Sequence, residues 1–266
     1  MANTVWNSAD KHANITLSGG NLIATLTTAA TGSVRAVDRQ LTGKFYWECA
    51  FTTSSGAAMS TGVASSTVAT TGSLGTLTGV CVVARNGSVI NDTTTVGGIA
   101  FGTITSGMVM CVAVDCATRL VWFRLGAGGL WNMSAGANPA TGVGGVSLSI
   151  GAGIPIYPIS GFSALNDAIT ANFGDTAFTG AVPSGYTSGF TAGASVPTNA
   201  LASQALAEHW LTTNPDARIT QVVAEHWASV ASDNLQAVVT FVALEHWTSV
   251  AVVVPAAGGP MVTMIH

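Results

Sequence analysis

From Met108 to Val114 the chain reads Met-Val-Met-Cys-Val-Ala-Val, apolar on both alternating faces. One face carries Met108, Met110, Val112 and Val114; the other carries Val109, Cys111 and Ala113. Successive residues of a strand point to opposite sides, so this strand has to be covered twice. A lone hairpin or a half-wet sheet is thereby excluded, and a layered β core is required. Similar short runs recur from Asn14 to about Tyr186: Ile15–Leu17, Leu22–Leu26, Phe45–Thr52, Ser60–Ala64, Val80–Arg85, Arg119–Arg124, Pro155–Ser160 and Ala168–Phe173. Clusters of Gly, Ser, Thr and Asn separate them, and none sustains a helical period. The spacing predicts an all-β, two-sheet antiparallel sandwich, with Trp47, Trp122, Phe123 and Phe173 in its core. Arg85-Asn86-Gly87-Ser88 predicts a two-residue hairpin, because Asn-Gly accepts the positive φ of a type I′ turn.

Charged residues make up only 8% of the 266, against roughly 25% in an average soluble chain. Lys11 and Lys44 are the only lysines and the net charge is −4, so a basic surface for nucleic acid is excluded. Glu, Lys and Arg are too scarce to line the exposed faces of a helical bundle. Hydrophobic residues reach 48%, which excludes a charge-rich disordered chain. A surface this poor in charge favours association. The best membrane candidate, Ala237 to Val254, is interrupted by Glu245 and His246, so no membrane insertion is expected. The start, Met1-Ala-Asn-Thr-Val-Trp, has neither the basic nor the apolar part of a secretory signal. Cys49, Cys81, Cys111 and Cys116 are too few for a disulfide scaffold. Cys111 and Cys116 fall on opposite strand faces, so four buried free thiols are expected.

Charge divides the chain. Up to residue 200 seven Lys/Arg balance seven Asp/Glu; beyond it Arg218 stands against Glu208, Asp216, Glu225, Asp233 and Glu245. The reading is a sandwich over 1–190, a small, uncharged linker over 191–200, and a repeat region over 201–266. The repeat is Glu208-His209-Trp210, Glu225-His226-Trp227 and Glu245-His246-Trp247, with Ser229-Val230-Ala231 matched by Ser249-Val250-Ala251. A recurring offset of this size marks one supersecondary unit repeated. The β-branched second and third copies favour three strands of about ten residues, with turns at Asn214-Pro215-Asp216 and Ser232-Asp233-Asn234.

The order of motifs in 1–190 resembles that of bacterial and phage SPRY domains. Trp6-Asn7-Ser8-Ala9-Asp10-Lys11, Ile15-Thr16-Leu17-Ser18-Gly19-Gly20 and Gly32-Ser33-Val34-Arg35 resemble the family's opening. Gly43-Lys44-Phe45-Tyr46-Trp47-Glu48 is similar to its first core strand. Val112-Ala113-Val114-Asp115, Leu120-Val121-Trp122-Phe123, Pro155-Ile156-Tyr157-Pro158, Asn172-Phe173-Gly174 and Pro183-Ser184-Gly185-Tyr186 follow in the family's order. The resemblance implies a bent sandwich whose loops form an interaction surface. Two departures, Cys111 in place of Gly and a long run Thr67–Thr78, fall near the variable loops. The tail is similar to the tandem Val-Thr-Gln-Val-x-x-Glu-Val-Leu repeats of phage tail and fibre proteins, through Ile219-Thr220-Gln221-Val222-Val223-Ala224-Glu225. Together these resemblances imply a component of a bacteriophage virion, assembled in the host cytoplasm.

The candidate sites follow. His209, His226 and His246 are weak metal candidates, since imidazole is a common ligand; a strand turns Glu225 and His226 to opposite faces, and repeat duplication with packing is the favoured reading. Trp210, Trp227 and Trp247, with Ile219, Val223, Val239 and Leu244, form the expected subunit interface, because regularly spaced aromatics bury large areas. Trp131 and Asn132, in the Gly-rich Gly128-Gly129-Leu130-Trp131-Asn132, are the candidate ligand loop. No Gly-x-Ser-x-Gly, His-Glu-x-x-His, Walker or Cys-x-x-Cys pattern occurs, so no catalytic residue and no cofactor is expected. The function expected is a non-enzymatic structural protein of fibre, spike or decoration type, a homotrimer contacting other virion proteins. The alternative is an adhesin binding host cell-surface glycan through the sandwich loops.

Overall fold

The computed structural model describes residues 3–56 and 58–191, together with the backbone of Val239–Phe241, Val250–Val253 and Met261–Val262. The chain divides into two compact units, Met1–Ser195 and Val196–His266.

The first unit is all β, as the alternating runs require. Its strands are β1 (Trp6–Lys11), β2 (Ile15–Ser18), β3 (Ile23–Leu26), β4 (Gly32–Ala36), β5 (Lys44–Thr53), β6 (Ser60–Ala64), β7 (Val80–Ala84), β8 (Ser88–Asn91), β9 (Thr94–Ala100), β10 (Val109–Asp115), β11 (Leu120–Leu125), β12 (Val146–Ser147), β13 (Tyr157–Phe162), β14 (Ala168–Asn172) and β15 (Thr187–Ser188). One sheet has the order β1-β4-β13-β6-β7-β8-β9, and the other β12-β11-β10-β5-β14-β3-β2. Every pairing in them is antiparallel except that of β15, which runs parallel to the start of β5. The ladder between β13 and β4 runs from Phe162 to Ile159 and stops short of Pro158, which has no N–H to give it.

Between the sheets lies the main core. Val112 and Val114 of β10, Trp47, Cys49 and Phe51 of β5, Phe123 of β11, and Phe162, Phe173 and Phe190 are all fully buried there. Trp6 packs edge-on against Phe173 at 5.0 Å, and Trp47 against Phe190 at 5.4 Å. Cys111 and Ala113 face the other way, into a second cluster with Tyr46, Trp122 and Tyr186. The strand apolar on both faces is therefore covered on both, as its sequence demands. A third cluster, of Val68, Leu74, Val80, Val82 and Ile159, lies on the outer side of the seven-stranded sheet. The long run 67–78 supplies Val68 and Leu74 to it. All four cysteines are buried free thiols. Burial pushes Cys49 and Cys116 up to about 12.

Two expectations are corrected. The turn at Asn86-Gly87 is not a two-residue type I′ loop: the Gly87 N–H bonds the Ala84 carbonyl at 2.8 Å, and only Gly87 takes positive φ, 85°. That is the wider turn in which a type I bend ends on a left-handed glycine. The pairing of Val83 with Val89 leaves room for this wider loop, and a Cβ on Gly87 would lie 2.2 Å from the Gly102 carbonyl oxygen, so only glycine fits its left-handed position. The second concerns the third tail repeat, expected as a single strand. In the second unit β16 (Val239–Phe241) pairs antiparallel with β17 (Val250–Val253), and β17 with β18 (Met261–Val262). Phe241 opposite Val250 means that this repeat contributes two paired strands, not one.

A buried carboxylate ties the two sheets' connections together. Asp167, fully buried, accepts from the Ser55 and Gly56 N–H groups at 2.8 and 3.0 Å, and from the Ala164 and Ser163 N–H groups at 2.9 and 3.3 Å. Burial alone would raise its carboxyl, but these backbone donors outweigh burial and hold it below the ordinary value.

Three outcomes are expected. Val112→Asp places an unpaired charge in the main core and lowers stability by several kcal/mol, on the order of 3–5; a soluble variant with unchanged melting contradicts the double burial of β10. Asp167→Asn destabilises at neutral pH by about 2–4 kcal/mol. Because the native carboxyl is held low, its contribution is present above the unfolded pKa of about 3.9 and is lost as pH falls through the native value. The melting temperatures of the two proteins therefore converge on acidification, and a constant gap refutes the assignment. Finally, denaturation without reductant followed by alkylation labels all four cysteines; a Cys111–Cys116 bridge contradicts the strand geometry.

Candidate binding surface

Two features on the outer faces of the sandwich combine exposure with an ordered framework. The first covers the outer side of β5, β10 and β11. Here the Glu48 carboxylate, buried, accepts the Tyr46 hydroxyl at 2.6 Å and the Thr179 and Gly180 N–H groups at 2.9 and 2.7 Å. The Cys111 thiol donates to it at 3.7 Å. Burial raises both the Tyr46 hydroxyl and the Cys111 thiol, so both stay protonated and donate. A Cβ on Gly180 would lie 2.3 Å from Arg124 Nη2 and 2.9 Å from the Tyr46 hydroxyl, so a larger residue there displaces these side-chain ends.

Arg124 extends the cluster outward. Its Nη2 donates to the Ala181 carbonyl at 3.1 Å, and its guanidinium lies 4.4 Å from the centre of the Trp131 ring. Trp131, half-buried, also meets Tyr46 edge-on at 6.4 Å. The loop tip around it is apolar: Leu130, Met133 and Val143 are 50%, 45% and 53% exposed.

Asn132, expected in the ligand loop, is placed differently. Only 3% exposed, it accepts the Phe123 N–H at 2.8 Å and donates to the Gly144 and Val121 carbonyls at 2.8 and 3.3 Å. It is a latch that fixes the loop to β11, and its amide is fully engaged. It and Met133 take left-handed backbone, φ 45° and 56°. Asparagine tolerates that conformation; methionine does not favour it. The latch holds this strained pair with Leu130 and Met133 turned outward.

The second feature is a hollow of about 220 Å³ on the outer side of the seven-stranded sheet. Its apolar lining is Val82 and Ala84 of β7 with Ile90 of β8. Ser73, Gly75 and Thr76 come from the short 3-10 turn Leu74–Thr76 and its N-cap, and Ala58, Ser60 and Asn86 complete it. All nine residues are uncharged. Ser60 is 2% exposed and its Oγ has no hydrogen-bond partner. Sequence reasoning missed this hollow. The available signal was the unusual length of 67–78, coupled to a hydroxyl at the outward-facing start of β6.

Among the residues expected to act, Trp131 stands at the surface and Asn132 beneath it. His209, His226, His246, Trp210, Trp227, Trp247, Ile219, Val223 and Leu244 lie outside the described residues, and Val239 is described only as backbone at the start of β16. Among the described residues no group of three or more His, Cys, Asp or Glu is placed to hold a metal ion.

No protein-family model matches the chain, and no curated protein matches it. Solved structures do. The SPRY domain of human HERC1 is similar with a TM-score of 0.49 and 13% identity, over 62% of this chain and 96% of that one. The PSpry domain of TRIM65 is similar with a TM-score of 0.46 and 12% identity, over 64% of this chain and 92% of that one.

Proposed function

We propose that the chain is a non-enzymatic structural protein of a bacteriophage virion, in which a SPRY-like sandwich serves as an interaction module and the tail repeats join the chains. One observation carries the binding part of this reading. In the sandwich the side chains most suited to chemistry are occupied by the fold. Glu48 accepts two backbone N–H groups and Asp167 four, Asp115 accepts the Ala117 and Thr118 N–H groups at 3.0 and 3.1 Å, and the cysteines are buried thiols. Neutral and apolar features, the loop tip of Leu130, Met133 and Val143 and the uncharged hollow, stand at the surface instead. The phage assignment rests on the motif series in the sandwich and on the tail repeats.

The tail reading is a homotrimer, with other virion proteins as further partners. An isolated small sheet is marginal alone, and closed symmetry lets each copy bury its repeat face against a neighbour's. An interface of standard size needs roughly 800 Å² per partner, and each aromatic buries about 150–250 Å². Trp210, Trp227 and Trp247 with Ile219, Val223, Val239 and Leu244 supply most of that. The uncharged hollow favours a second reading, an adhesin that binds host cell-surface glycan.

Light scattering tests the assembly. The full chain is expected at three chain masses, and a chain ending at residue 195 at one. A monomeric full chain refutes the trimer.

A further inference from the structure

We infer, on the reading that the tail joins the chains, that residues 186–191 are a strap through which a pull on the tail reaches the loop tip of Leu130, Met133 and Val143. The segment is short but is seated on both sides of the eight-stranded sheet. Tyr186 belongs to the outer cluster with Tyr46, Cys111 and Trp122, and Phe190 to the main core. Between them β15 runs parallel to the start of β5, and the Gly189 N–H donates to the Tyr46 carbonyl at 2.8 Å. Residues four apart on a regular strand share a face. The left-handed backbone of Gly189, φ 96°, breaks that regularity and lets Phe190 turn inward. A Cβ on Gly189 would lie 2.1 Å from the Phe173 carbonyl oxygen, so the crossing needs glycine.

The inner end of the strap takes the load. The ends of a domain ordinarily fray, but the Phe190 ring, fully buried, lies 5.0 Å from that of Phe45 and 5.4 Å from that of Trp47. Its N–H donates to the Phe173 carbonyl at 3.0 Å, and its carbonyl accepts the Thr4 N–H at 2.8 Å. Gln40 Nε2 donates to the Thr191 carbonyl at 2.7 Å. The chain continues from Thr191 into the linker, so tension meets the Gln40 bond and Phe190 first. The outer end carries the loop. The Tyr186 hydroxyl donates to the Pro139 carbonyl at 3.4 Å, and Trp131 and Ala137 pack against the cluster that Tyr186 completes. Asn138 and Val143 are tied to each other by backbone bonds of 2.9 and 3.1 Å, so Pro139 and Val143 belong to one closed turn. Peeling that starts at Thr191 runs through Phe190 and Gly189 to Tyr186, and there takes away support from beneath the tip.

Hydrogen exchange on the full chain, read by mass spectrometry, tests the strap. Phe190→Ala weakens its inner end and leaves Tyr186 and the loop as they are. Exchange in 186–191 is expected to rise about a hundredfold or more, the scale of a large-to-small core substitution. Exchange in 133–143 is expected to rise with it, while 67–78, across the other sheet, keeps its rates. Unchanged rates in 133–143 overturn the coupling. An equal rise in 67–78 overturns it as well, because the whole sandwich is then loosened. A second measurement needs no variant. If the amides of 133–143 outlast those of 186–191 in the unaltered chain, the strap opens without loosening the loop and the inference falls. Light scattering on the same samples reads the assembly separately: a monomeric chain removes the tail reading and leaves the coupling of strap and loop to stand or fall by exchange.

Discussion

A strand with no polar face cannot end at one interface, and β10 imposes that condition on everything around it. Its inner residues, Met110, Val112 and Val114, meet the seven-stranded sheet; its outer residues, Cys111 and Ala113, need a cover of their own. The cover is irregular chain. Trp131 and Ala137 come from the segment after β11, and Phe178, Val182 and Tyr186 from the segment after β14. Irregular backbone over an apolar face has carbonyl and N–H groups to satisfy. Glu48 meets part of that demand from the centre of the sheet, by accepting two consecutive N–H groups of the returning chain. A carboxylate so held is costly to bury and strongly attached once buried. The stance of Arg124, and through it of Trp131, follows from the same closure.

The sequence made the layered core legible because its signal is periodic. Val112, Trp47, Phe123 and Phe173 sit where alternation puts them, and the nine expected runs all correspond to strands, with Pro155–Ser160 displaced to Tyr157–Phe162. The strands that alternation did not mark are β1, β4, β8, β9, β12 and β15. Of these, β1, β9 and β12 lie at sheet edges. An edge strand has one neighbour and much solvent, so Trp6-Asn7-Ser8-Ala9-Asp10-Lys11 and Thr94-Thr95-Val96-Gly97-Gly98-Ile99-Ala100 carry little hydrophobic pattern to read. The candidate surface was half legible. Trp131 in a Gly-rich stretch announced a loop, but the inward role of Asn132 depends on Phe123, Val121 and Gly144, which no local pattern links to it.

The few charges are deployed in a consistent way. Among the described residues two ion pairs form, Arg35 with Asp10 at 2.7 Å and Lys44 with Asp115 at 3.5 Å. The other buried carboxylates, Glu48 and Asp167, are held by hydroxyl and backbone donors instead. A backbone N–H is fixed by the sheet, so a carboxylate bound to it needs no flexible partner to be immobilised, and buried interactions are screened little by salt. A chain of this kind needs few Lys and Arg to stabilise its Asp and Glu. That leaves its surface free to be neutral.

Neutrality has a cost in solution and a use in an assembly. A surface poor in charge favours association, and specificity between such surfaces comes from shape and hydrogen-bond placement more than from charge. The loop tip meets that requirement by rigidity. Asn132 fixes both sides of its loop, the Arg124 guanidinium lies over the Trp131 ring, and Met133 is held in a conformation it would not adopt alone. The hollow over β7 and β8 is uncharged throughout its lining. Shape and hydrogen-bond placement set on a fixed framework are what a nearly uncharged surface has to offer a partner.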